Sequence, residues 1–437
     1  MSEEPGTVAD AFVRRVVDPL REFLHDEAAG GIVLLMATVA ALVWANSGAA
    51  DGYDLLWHSK LTVGTGPEAV TQDLRHWVND GLMVLFFFVV GLEVKRELAI
   101  GELHDRRAAA LPALAALGGV VLPALLFLVV VGGGPGARGW GIPMATDIAF
   151  AVGVLAVLGS RIPAGAKLFL LSVAIVDDII AVAVIAVAYI DTVEFGWLLA
   201  AVGGLVVVVV MRAAGVSAVL PYLPVGLFVW YSTLNSGVHA TIAGVALGLL
   251  TPACPVDGRR VLDEIQHALH PITAFTIVPL FALANAGVDL RGGVLHDAAD
   301  SRLTWAVLVG LLLGKIVGIG GAAWLALRLR IGVLPNDVPM RLVWGLAALG
   351  GIGFTISLFI TDLAYADEAL ITQAKVGIFA ASALAAAIGT TLLLTLSRGL
   401  AGPPDAGTPA EHSRALPTRK PDEPGPIGKV TQPTNDD

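Results

Sequence analysis

Residues 168–190 read LFLLSVAIVDDIIAVAVIAVAYI. At ~1.5 Å rise per residue, a helix of this length spans the ~30 Å hydrocarbon core of a bilayer. Asp177 and Asp178 are its tenth and eleventh residues, which puts them at the midplane. Each such acid costs roughly 2.5–3.5 kcal/mol to insert, so a membrane helix that keeps two of them points to function. The competing explanation is a pair that is hydrogen-bonded to neighbouring helices and merely holds a bundle together. Successive helical residues point ~100° apart, so both acids border one cavity without facing it equally. A division of labour between them is expected.

The rest of the chain agrees with a membrane reading. Of 437 residues, 56% are apolar and only 15% charged, with a mean hydropathy of +0.78. A soluble protein of this size needs more charge on its surface, so the expected class is an all-α polytopic membrane protein. Fifty glycines fit close helix packing in lipid. A single cysteine, Cys254, excludes an intramolecular disulfide and any multi-cysteine metal site. The net charge of −10 says little about partners, because the acids gather near the N-terminus, in loops and in the tail. No nucleic-acid partner and no cofactor are expected. No cleavable signal peptide is expected either, since the first apolar run begins near residue 30, after a charged leader.

Twelve apolar stretches qualify as candidate spans: about 28–48, 80–99, 108–131, 140–159, 168–190, 197–212, 218–234, 236–251, 271–288, 303–327, 341–364 and 371–397. With the N-terminus in the cytoplasm, twenty of the 27 basic residues fall on inner segments, five fall outside, and Lys315 and Lys375 lie within spans. The positive-inside rule therefore predicts that both termini are cytoplasmic. Residues 1–27 are expected to form a cytoplasmic N-terminal segment, 28–398 the membrane domain, and 399–437 a disordered cytoplasmic tail rich in Pro, Gly, Asp, Glu and Thr. The outer loop at 51–79 contains SKLTVGTGPEAVTQDL, which reads as a small β-hairpin around Gly64 and Gly66.

Three further features accompany the acids. Lys315 is central in the tenth span, too deep to snorkel easily, so it should meet a carboxylate or face water. That requirement is met equally by a structural ion pair and by a functional one. Lys375, near the start of the twelfth span, reads as an anchor to the outer interface. The fourth span carries Pro143 before Thr146 and Asp147, and the eleventh carries Gly350, Gly351 and Gly353. Both helices should open inside the membrane, which is tolerated only where they line a cavity or are covered by protein. Open half-helices carry positive N-terminal and negative C-terminal ends. Asp147 can offset the former and Lys315 the latter. The interrupted spans are the middle members of triplets 3–5 and 10–12, which stand in opposite orientation. Broken helices at corresponding places in two halves point to a transporter of inverted repeats with a midplane site. No residue-by-residue repeat is visible.

The stretches WVNDGLMVLFFFVVGLEVKREL, GWGIPMATDIAFAVGVLAVLG, LSVAIVDDIIAV, SGVHATIAGVALG, HPITAFTIVPLFALANAGV, GLLLGKIVGI and GGIGFTISLFI, in this order, resemble the bacterial NhaA-type sodium/proton antiporters. The likeness covers about residues 10 to 398. It implies a twelve-helix inner-membrane antiporter with helices four and eleven broken and crossing near the site, and a homodimer formed through the outer hairpin. It implies that Asp178 binds the cation and carries the proton, and that Asp177 pairs with Lys315 in one state. Thr146 and Asp147 then lie at the helix crossing, and Asp80 near the outer end of helix two. Glu93, Arg96 and Glu97 would lie at the inner funnel, which in relatives is tied to the pH response, and His239 matches a histidine associated with that response. One departure stands out: Gln266 precedes His267, where relatives are expected to carry glutamate. The expected substrates are Na+ (and Li+) and H+, exchanged by competition for one carboxylate.

Two other classes share some of these features. A sodium-coupled symporter of an organic anion needs a larger pocket with cationic groups, and Lys315 is the only strong cationic candidate at depth. An intramembrane aspartyl protease needs two acids facing each other from different helices, whereas Asp177 and Asp178 are adjacent, and GGIGF lacks the acid that a GxGD motif requires. An enzyme is not expected.

Overall fold

The computed structural model describes residues 27–397, apart from 65, 67, 68, 102–105, 191, 255–258 and 335–337. The expected N-terminal segment and tail lie almost entirely outside the described residues. The chain is mostly helical, with one β-hairpin. Helix α1 (Glu27–Ala45) turns through 115° into the short α2 (Ala50–Trp57). Strands β1 (Lys60–Val63) and β2 (Val70–Asp73) pair antiparallel, Lys60 opposite Asp73 and Val63 opposite Val70. The hairpin is therefore where the sequence places it, while α2 in the same loop went unforeseen. Tyr53 on α2 explains the helix. Its hydroxyl lies 2.8 Å and 3.0 Å from the carbonyls of Leu283 and Ala284 and accepts from Gly287 N, closing an otherwise open helix C-terminus.

The remaining helices are α3 (Leu74–Ala99), α4 (Arg106–Val131), α5 (Ile148–Leu158), α6 (Ala164–Ala188), α7 (Phe195–Ala213), α8 (Tyr222–Asn235) and α9 (Thr241–Leu250). They are followed by α10 (Val261–Asn285), α11 (Val294–Asp300), α12 (Arg302–Arg328), α13 (Met340–Leu349), α14 (Phe354–Ala364) and α15 (Glu368–Ser397). Seven described helices are long and apolar enough to cross a bilayer, and nine if the bent pairs α1–α2 and α13–α14 each count as one. The expected count of twelve exceeds this because hydropathy windows include flanks that are not helical. In the fourth stretch only Ile148–Leu158 is α-helix, preceded by a 3₁₀ turn at Pro135–Gly141.

The outward surface is itself apolar: Val129, Val157, Val187 and Leu199 are all more than 70% exposed. In water such a surface would drive aggregation; against lipid tails it costs nothing. With no hydrophobic drive between helices in lipid, close packing has to hold them together. Gly118 on α4 and Gly318 on α12 provide it. A Cβ on either would lie 2.3 Å from the other's carbonyl oxygen, so only hydrogen fits at this crossing.

Three helices widen into π turns, at Trp77–Leu82 in α3, Thr273–Ile277 in α10 and Gly310–Gly314 in α12. Such turns collect at functional positions. The first carries Asn79 and Asp80, and the last ends immediately before Lys315.

Candidate functional site

The site is built where the two interrupted segments meet. Pro143 lacks an N–H and cannot continue a helical ladder, and residues 145–147 are non-helical before α5 begins. The break between α13 and α14 spans Gly350–Gly353 and bends the pair by 48°. The two openings dock on each other: Asp147 N donates to the Ile352 carbonyl at 2.7 Å. Asp147 is 2% exposed, and its carboxylate serves both half-helices. One oxygen caps α5 by accepting from Phe150 N at 3.0 Å. The other accepts from Thr355 N at 3.0 Å and Thr355 Oγ1 at 2.6 Å, in the first turn of α14. Two positive helix ends thus converge on one acid.

Beside it, α6 presents Asp177 and α12 presents Lys315, both 0% exposed, as a direct ion pair. Thr146 completes the knot. Its hydroxyl accepts from Lys315 Nζ at 3.1 Å and lies 2.8 Å from Asp177 Oδ2 and 2.9 Å from the Gly350 carbonyl. A hydroxyl has one proton, so it donates to one of these oxygens at a time. Gly350 follows the last residue of α13, where carbonyls lack helical partners. Lys315 therefore faces the negative end of α13 through Thr146.

Asp178 differs from its neighbour. It is 7% exposed, and its Oδ1 is buried without a hydrogen-bond partner among the described residues. Asp177, Glu93 and Asp147 act on it with like charge, and Lys315 with opposite charge. A buried carboxylate in this setting is costly unless it holds a proton or a cation. Asp177 Oδ1 is similarly unpartnered, but its Oδ2 is saturated by Lys315 and Thr146.

The other expected residues are dispersed. Asp80 lies in the first π turn of α3, and its backbone carbonyl accepts from Trp230 Nε1 at 2.7 Å. Glu93, Arg96 and Glu97 occupy the far end of the same helix. Thirteen residues separate Asp80 from Glu93, about 20 Å along the axis. Arg96 reaches Gln266 Oε1 on α10 in a long 3.4 Å contact, so the residue that departs from the expected glutamate faces the arginine as an amide. His239 does not join this group. It precedes α9 at the hairpin end, with Nε2 2.6 Å from the Tyr189 carbonyl, and it acts electrostatically on Asp80. His239 thus lies apart from Glu93, Arg96 and Glu97.

Comparison with known proteins assigns the chain. Residues 21–393 match the model of the family described as Na+/H+ antiporter 1. The chain belongs to this family. Among relatives, "Na(+)/H(+) antiporter NhaA 2" of Erythrobacter litoralis is 46% identical over 376 residues, covering 86% of this chain and 93% of its own length. "Na(+)/H(+) antiporter NhaA 3" of Frankia alni is 44% identical, covering 90% and 92%. "Na(+)/H(+) antiporter NhaA" of Cupriavidus necator is 41% identical, covering 91% and 94%. Membership makes the chain a transporter of antiporter type rather than an enzyme.

Thr355 and the Gly350 carbonyl are site groups that the sequence reading missed. No local signal marks Thr355: Phe354 separates it from the glycine break, and a threonine in a helix commonly bonds its own backbone. Lys375 was misread as an interface anchor. It is 4% exposed and paired with Asp362, 3.6 Å away.

Proposed function

We propose that this antiporter-family protein exports Na+ from the cytoplasm in exchange for external H+, with Asp178 as the group that holds either ion in turn. The observation that carries the reading is the contrast within the pair. Asp177 Oδ2 is held by Lys315 and Thr146, whereas Asp178 is held by neither and keeps Oδ1 buried without a partner among the described residues. Desolvation disfavours a bare carboxylate, so Asp178 is stable with a proton or with Na+ and not with neither. Proton and Na+ then compete, and an inward proton gradient drives Na+ outward. Na+ prefers oxygen ligands, and Asp178, Asp177, Thr146 and backbone carbonyls of the interrupted helices are the donors within the site. Li+, with the same ligand preference, is expected to be exchanged too.

When Na+ draws Asp177 towards Asp178, Lys315 loses its partner and releases a proton. More than one proton then returns per Na+, which makes the exchange electrogenic. The two capped half-helices suit alternating access, since Asp147 joins α5 and α14 into one body. Twelve spans, inverted repeats, cytoplasmic termini and a hairpin-mediated homodimer in a bacterial inner membrane complete the proposal. So does pH control through Glu93, Arg96 and Glu97. With an amide at Gln266 facing Arg96, any pH control that needs an acid at that position is altered in this chain.

The test is a transport assay in everted vesicles. Adding Na+ or Li+ to a preformed pH gradient should dissipate it in the wild type and leave it intact in Asp178→Asn. Exchange that persists in that variant would overturn the assignment of Asp178. An unchanged proton-to-sodium ratio in Lys315→Gln would remove lysine from the cycle.

A further inference from the structure

A second buried polar group lies apart from the Asp177–Asp178 site, at the hairpin end. Lys375 on α15 pairs with Asp362 on α14 at 3.6 Å, and Asn79 in the π turn of α3 donates to the other Asp362 oxygen at 3.3 Å. Asn79 and Asn285 face each other with their amides, at 2.8 Å and 3.4 Å, and Asn285 is 0% exposed. Four helices are thereby tied through polar contacts. Directly beneath lies an aromatic layer from three of the same helices: Phe87 of α3 and Phe281 of α10 flank Phe359 of α14, with ring centroids 5.2 and 6.3 Å away. Three side chains separated by one to two turns from their polar counterparts thus repeat the same closure in apolar form.

The position of these layers decides their use. Asp362 follows Thr355 by seven residues along α14, about 10 Å from the Asp147 contact towards the hairpin. At its other end α14 is separated from α13 by the glycine break, so it can tilt together with α5, to which Asp147 ties it. A buried ion pair adds little net stability over an apolar pair, but it can hold one of two arrangements against the other. We infer that Asp362–Lys375, braced by the Asn79–Asn285 clasp, is the latch of a gate that closes the ion path at the hairpin end, with α14 as the moving element. The inference rests on the alternating-access reading above. To face that side, the site requires Asp362 to leave Lys375 and Phe359 to leave its flanking rings.

The test reads accessibility and not transport. In full-length protein with Cys254→Ser, Met83→Cys places a thiol on α3 between the polar and aromatic layers, at a residue that is 1% exposed. A membrane-impermeant maleimide is added from the hairpin face, and labelling rates are compared with and without Asp362→Asn. The double variant Asp362→Asn/Lys375→Met, which leaves no unpaired charge and so folds where the single variant fails, is run in parallel. Losing a charge-assisted contact should shift the closed–open equilibrium and speed labelling by about tenfold. A rate within about threefold of the latched protein, in the double variant, overturns the latch. Failure of the wild type to dissipate a pH gradient with Na+ would instead refute the transport reading, and would leave the labelling result standing.

Discussion

Asp147→Asn tests whether one carboxylate holds both half-helices. The carboxylate accepts from Phe150 N on one side and from Thr355 N and Oγ1 on the other. An amide has one acceptor oxygen, so in either orientation its NH₂ meets an N–H of a helix N-terminus. One buried donor then goes unsatisfied, at about 1–3 kcal/mol. Losing the negative charge removes a further ~0.3–1 kcal/mol at each helix end. The expected destabilisation is about 2–5 kcal/mol. Thr355→Val removes only the 2.6 Å hydroxyl bond, at about 1.5–3 kcal/mol for a charged acceptor. Because both changes act on the same contact, the double variant should cost less than their sum by about 1–2 kcal/mol. Equilibrium unfolding in mixed micelles measures all three. If the effects add within about 0.5 kcal/mol, the side chains do not share a clasp and the argument for a joined α5–α14 body fails.

Lys315→Met leaves Asp177 buried without its counter-charge and should destabilise by about 3–5 kcal/mol; adding Asp177→Asn should recover most of it, as a melting series can show. Gly318→Ala drives a Cβ to 2.3 Å from the Gly118 carbonyl, so α4 and α12 must separate, at about 1–3 kcal/mol; an unchanged melting curve would contradict that contact. Outside the spans, hydrogen bonds from the Arg291 side chain and backbone pull the Asp289 carboxyl down to about 2. Because this folded value is depressed, the turn's stabilisation is complete above the ordinary carboxylate value near ~3.9 and disappears as pH falls towards about 2. A carboxyl-carbon NMR titration with a midpoint at the ordinary value would sink the Asp289–Arg291 pair.

Much of the site was legible in the chain because membranes make polar residues conspicuous. Asp177, Asp178 and Lys315 stand out against runs of Val, Ile and Leu, and Pro143 and Gly350–Gly353 mark where a helix must open. Residues with ordinary alternative uses stayed hidden. Threonine in a helix usually bonds its own backbone, as Thr361 does to Ser357, so nothing marked Thr355 as the partner of Asp147. Lys375 lies close enough to a helix start to suggest an interface, and only Asp362 folding against it reveals a buried pair.

What the sequence determined by itself is therefore the solvent, the element type and the identity of the expensive groups. Each follows from transfer free energies and local backbone chemistry. Which carboxylate meets the lysine and which does not was decided only by tertiary structure. Asp177 and Asp178 are chemically identical neighbours, and a ~100° turn of helix sends one oxygen of Asp177 to Lys315 and Thr146 and leaves Asp178 without either contact. Partners brought together from more than a hundred residues away, such as Thr146 with Gly350, are set by packing, which no local pattern encodes.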